Sequence, residues 1–71
     1  MINREILKKL KKEYPIGARV ELVKMDDPQA PSVGTTGKVN FIDDAGTIHV
    51  SWENGSNLGI VYGEDICRVT K

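Results

Sequence analysis

At 71 residues and a formal net charge of zero, the chain has room for one thin core and lacks the cation excess that drives indiscriminate nucleic-acid binding. Its lone cysteine, Cys67, excludes an internal disulfide and a multi-cysteine zinc site. With no secretory leader and no apolar run approaching ~18 residues to be read, the expected location is the cytoplasm, with no membrane contact.

The zero conceals a division. Arg4, Lys8, Lys9, Lys11 and Lys12 against Glu5 and Glu13 give residues 1–14 a charge of +3, and the remainder carries −3, so a cationic leader precedes an anionic body. Within the leader Ile2, Ile6, Leu7, Leu10 and Tyr14 recur at spacings of three and four, which places them on one helical face and the lysines on the other. Asn3 suits the N-cap, since its side-chain oxygen can accept from an orphan N–H of the first turn. Pro15 keeps Tyr14 out of helical geometry and ends the helix. A helix of ~11 residues is marginal in isolation, so its apolar stripe must dock on something.

Residues 15–71 read as strands. The expected spans are Ala18 to Lys24, Gly37 to Ile42, Thr47 to Glu53, Asn57 to Val61, and Ile66 to Thr70, with a long loop from Met25 to Thr35. In the third strand Ile48, Val50 and Trp52 share one face, while His49 and Ser51 share the other. A four-residue loop Asp43-Asp44-Ala45-Gly46 pairs Phe41 with Ile48 and Val39 with Val50, leaving Ile42 on the outer face. For the next hairpin, a three-residue loop Glu53-Asn54-Gly55 with Gly55 left-handed pairs Ile48 with Ile60. A two-residue Asn54-Gly55 turn would set polar partners against apolar ones, so burial selects the longer loop. These elements predict a mainly β chain: a small SH3-like five-stranded antiparallel barrel (15–71) preceded by an N-terminal amphipathic helix (1–14). The helix stripe is expected to cover Ile42 and one open end of the barrel.

Residues able to do chemistry are sparse. His49 falls on the outer face of its strand, two residues from Ser51, and that spacing does not impose nucleophile–base geometry. Cys67, between Ile66 and Arg68, has no basic cluster adjoining it in sequence to lower its pKa and reads as a half-buried structural thiol. Asp26-Asp27, Asp43-Asp44 and Glu64-Asp65 lack the spacing of a calcium loop. Gly34-Thr35-Thr36-Gly37-Lys38 has the composition of a phosphate loop without its spacing, and it leads into a strand. No cofactor, metal or catalytic residue is therefore expected. Trp52 alternates in register with core residues; at a barrel rim it would instead anchor a peptide or stack a base. Tyr62 and the loop carrying Asp26, Asp27, Pro28 and Pro31 would be its neighbours there, with the prolines lowering the entropy lost on binding.

The segments Gly17-Ala18-Arg19-Val20-Glu21-Leu22-Val23, Met25-Asp26-Asp27-Pro28, Gly34-Thr35-Thr36-Gly37-Lys38-Val39 and Asp43 through Ser56 resemble a family of short bacterial and phage proteins known as a domain of unknown function. The similarity spans roughly residues 14 to 68, and its specific parts are Met-Asp-Asp-Pro and Trp-Glu-Asn-Gly. Gly-x-x-Gly-x-Val followed by Val-x-Trp-acidic-Asn-Gly is also similar to KOW-type and Mind-bomb-type SH3-like domains. These resemblances imply protein or nucleic-acid binding rather than catalysis, in a setting accessory to a phage or mobile element. The expected function is a non-catalytic protein-interaction module, not an enzyme, contacting its partner through Trp52, Tyr62, His49, Asp26, Asp27, Pro28 and Pro31. The alternative is weak nucleic-acid binding by Lys8, Lys9, Lys11 and Lys12 along phosphates, opposed by the −3 body and by few aromatics for stacking.

Overall fold

In the computed structural model, which describes residues 2–70, Asn3 caps the helix α1 (Arg4–Glu13), its Oδ1 accepting from the Ile6 N–H at 2.8 Å. Tyr14, forced out of helical geometry before Pro15, sits at φ −123° and ψ 68° and still donates its N–H to the Leu10 carbonyl at 2.8 Å. Leu10 is buried in the core, and Ile2, Ile6, Leu7 and Tyr14 pack against it. The stripe of α1 therefore docks on its own chain.

Four strands follow: β1 (Arg19–Lys24), β2 (Thr36–Ile42), β3 (Ile48–Trp52) and β4 (Ile66–Val69). They form one antiparallel sheet in the order β3-β2-β1-β4. The inner face carries Val20 and Leu22 from β1, Val39 and Ile42 from β2, Ile48, Val50 and Trp52 from β3, and Cys67 from β4. Ile60 and Leu10 complete that core. Gly37 lies opposite Trp52 in the register, and the absence of a side chain there lets the indole lie against β2.

The barrel does not close with five strands. Residues 57–61 make one bridge, Ile48 to Ile60, in place of the expected strand, and the sheet stays open. Leu58 gives its carbonyl to the Trp52 indole N–H at 2.8 Å, and its N–H goes to the Ser56 hydroxyl at 3.3 Å. The rung that would join Leu58 to Val50 is thus replaced by two side-chain bonds. The bridge falls in the register given by the Glu53-Asn54-Gly55 loop, with Gly55 at φ +91° and no non-glycine residue at positive φ among the described residues.

The β2–β3 hairpin departs from the expected register. Val39 pairs with Val50, but Phe41 pairs with His49 and Ile42 with Ile48, because a bulge adds one residue at Asn40. The turn is a three-residue loop, Asp44-Ala45-Gly46, not a four-residue one: Asp43 N–H reaches the Thr47 carbonyl at 3.1 Å and Gly46 has φ +85°. The two side chains exchange faces relative to the sequence reading. Ile42, expected on the outer face under the helix stripe, joins the core at 8% exposure, and Phe41, expected inside, is 50% exposed.

Candidate functional site

The outward turn of Phe41 creates a cluster that sequence reasoning missed. Its ring stacks on His49 with centroids 4.3 Å apart and planes 10° from parallel. The His49 Nε2 lies 2.8 Å from Asp43 Oδ2, while Asp43 Oδ1 accepts the N–H groups of Ala45 and Thr47, each at 3.0 Å. Asp43 thus ties its own turn together and reaches the strand beyond it. The bond to His49 above all, and then the backbone bonds, hold its carboxyl below the usual carboxylate range. An ionised carboxylate only accepts, so Nε2 carries the proton in this pair. The third member of a nucleophilic triad does not adjoin it: the Ser51 hydroxyl accepts from Asn40 Nδ2 at 2.8 Å, and Cys67 faces the core. Burial pushes the Cys67 thiol up to about 11, which keeps it protonated and a poor nucleophile. The signal for the Phe41–His49 pair was the doublet Phe41-Ile42, of which one member must face outward; loop length decided which.

The residues expected to form a binding rim do not all converge. Trp52 is 3% exposed and its indole N–H is satisfied by Leu58, so it is a core residue and not a surface anchor. Pro31 is likewise buried, fixing the 25–35 loop against the sheet, where the Gly34 N–H bonds the Leu22 carbonyl at 2.8 Å. Asp26, Asp27 and Pro28 are exposed, as is Tyr62. Lys8, Lys9, Lys11 and Lys12 are all exposed on α1.

Two of those expected regions do meet, around the turn at residues 61–65. Val61 N–H bonds Asp65 Oδ2 at 2.9 Å and the Asp65 N–H returns to the Val61 carbonyl at 2.9 Å, while Gly63 takes φ +87°. On one side of this turn a cleft of about 610 Å³ runs to Lys24, Asp26 and Asp27. On the other a cleft of about 380 Å³ opens between the turn and the end of α1, lined by Leu10, Tyr14, Ile48, Ile60, Tyr62 and Cys67 with Glu13, Glu64 and Asp65 around it. Lys24, Gly63, Glu64 and Asp65 border both, so the two clefts adjoin. Among the described residues no cluster of histidine, cysteine and carboxylate side chains could hold a metal ion.

The fold defines a class: small, mainly β domains with one N-terminal helix and four antiparallel strands in an unclosed sheet. Within it, the chain belongs to the family described as a domain of unknown function, DUF4314, whose model matches residues 3–70. The match includes α1, which the sequence reading had placed outside the similarity. No curated protein and no solved structure gives a match. No described helix is long and apolar enough to cross a membrane.

Proposed function

We propose that the chain is a non-catalytic protein-interaction module, and that the cleft between the end of α1 and the 61–67 segment is where a partner docks. The observation that carries this reading is the cleft's lining, which joins the buried side chains of Leu10, Ile48, Ile60 and Cys67 to an exposed Tyr62. Apolar side chains at the foot of an open cleft, with polar groups around it, are the composition of a docking surface. The antiparallel sheet and the Ile48–Ile60 bridge support an SH3-like relationship, as an opened form of that barrel. The resemblance to short bacterial and phage proteins supports a cytoplasmic setting accessory to a mobile element. The test is a photo-crosslinking residue placed at Tyr62 in cells, with Val33, exposed and outside this cleft, as the control. Adducts at position 62 and not at 33 are expected; equal labelling or none would end the reading.

Nucleic-acid binding is kept as a second reading because Lys8, Lys9, Lys11 and Lys12 all reach solvent from one helix. A duplex titration at two salt concentrations decides it, since phosphate contacts must weaken as salt rises. No affinity even at low salt removes it.

A further inference from the structure

The clefts flanking the 61–65 turn have a strongly one-signed border. Glu13 from the end of α1, Glu64 and Asp65 from the turn, and Asp26 and Asp27 from the facing loop surround them, against a single ammonium, Lys24. Asp65 is partly engaged by the Val61 N–H and Asp27 by the Gln29 N–H at 2.8 Å. An amide N–H bond leaves the negative charge in place, so neither carboxylate is neutralised. The Glu21–Arg68 and Arg19–Glu53 pairs, by contrast, hold their charges in ion pairs elsewhere on the molecule. The border would repel phosphate groups, which sets this surface apart from the lysine face of α1. It would draw in cations, and low-dielectric walls around a cleft focus that field.

We propose that this cleft takes a cationic segment of a partner protein, which sets one aliphatic or aromatic side chain against Leu10, Ile60 and Cys67 and its lysines or arginines against Glu13, Glu64 and Asp65. The inference rests on the docking reading above and adds the chemistry of the occupant. At about 380 Å³ the apolar cleft is near the small end of ligand pockets, a size for one anchoring side chain. The adjoining acidic cleft gives the flanking cations a continuous path. The central apolar contact would carry most of the affinity, while the carboxylates would set encounter rate and exclude acidic partners.

The full chain is titrated, by backbone amide NMR at low salt, with three short synthetic peptides: lysines flanking one leucine, glutamates flanking one leucine, and lysines flanking one serine. The lysine–leucine peptide is expected to move the amides of Leu10, Ile60, Gly63 and Cys67. Binding should weaken roughly tenfold in Glu64→Lys or Glu13→Lys, both exposed positions whose change leaves the core intact. If the glutamate–leucine peptide binds there as tightly, the cationic assignment is overturned while the docking reading stands. If the lysine–serine peptide matches the lysine–leucine one, the apolar anchor is overturned. Should none of the three perturb the cleft, the inference fails along with the reading beneath it. Concentration-dependent shifts of the same amides without peptide would make a second copy of the chain the occupant and also overturn it.

Discussion

A methyl group at position 37 would sit 2.6 Å from Val50 Cγ1, 2.8 Å from the Ser51 carbonyl oxygen and 2.9 Å from Trp52 Cε3. All three neighbours belong to β3, and one is backbone, so relief requires β2 and β3 to separate. Gly37→Ala is expected to cost about 1–3 kcal/mol, read as a lower urea midpoint with an unchanged slope. Asp43 acts at the same scale through charge. Its carboxyl is held below the ordinary range by His49 first and by the Thr47 and Ala45 N–H groups after it. A carboxyl whose folded pKa lies below its unfolded value stabilises the fold above the unfolded value and loses that contribution as pH falls through the folded one. The advantage of the parent chain over Asp43→Asn should therefore be full above pH ~5 and shrink below pH ~4, the usual carboxylate region. Urea midpoints of both proteins at about pH 6 and about pH 3 measure it; a gap that does not narrow in acid would contradict the pairing.

Among the elements, α1 and β4 depend on each other. The Thr70 N–H bonds the Arg19 carbonyl at 2.9 Å, which sets the alternation so that Cys67 and Val69 turn their backbone groups away from β1. The Tyr14 hydroxyl then donates to the Cys67 carbonyl at 3.2 Å, covering part of that edge. Edge strands are commonly shortened or covered in this way against unwanted pairing, and β4 has four residues. Leu10, one turn earlier on the same face, fastens the helix into the core, so Leu10→Ala should destabilise by roughly 2–3 kcal/mol, seen as a reduced melting temperature. The hairpins show what the sequence could reveal at this scale. Asp43-Asp44-Ala45-Gly46-Thr47 and Trp52-Glu53-Asn54-Gly55-Ser56 close through the same bonds: glycine N–H to the first carbonyl at 3.0 Å in each, and first N–H to the last carbonyl at 3.1 and 2.9 Å. Opposed polar and apolar residues identified the second loop. The first gave no such conflict, because a four-residue loop also satisfied Val39 and Val50, and nothing in the side chains announced the extra residue at Asn40.

For the whole molecule, the helix stripe, the antiparallel pairing and the inward set Val39, Ile48, Val50 and Trp52 were legible, because period and parity are properties of neighbouring residues. Closure was not. It turned on whether the backbone of Leu58 would bond Val50 or two side chains, a competition that hydrophobic pattern does not register. The acidic cleft was hidden for a different reason: Glu13, Lys24 and Glu64 are far apart in sequence and meet only once α1 has docked. Parity placed Trp52 in the core, and only a position at a barrel rim would have made it a contact residue; its burial decides for the core. One consequence of the Asn40 bulge concerns length changes rather than replacements. Losing that codon would let Val39, Phe41 and Ile42 pair without interruption against Val50, His49 and Ile48, every side chain keeping its present direction. Losing Ser51, which is exposed too, would swing Trp52 from oil to water. Two excisions of one surface residue apiece, on adjoining strands, should thus part company in soluble yield: the first survivable, the second ruinous.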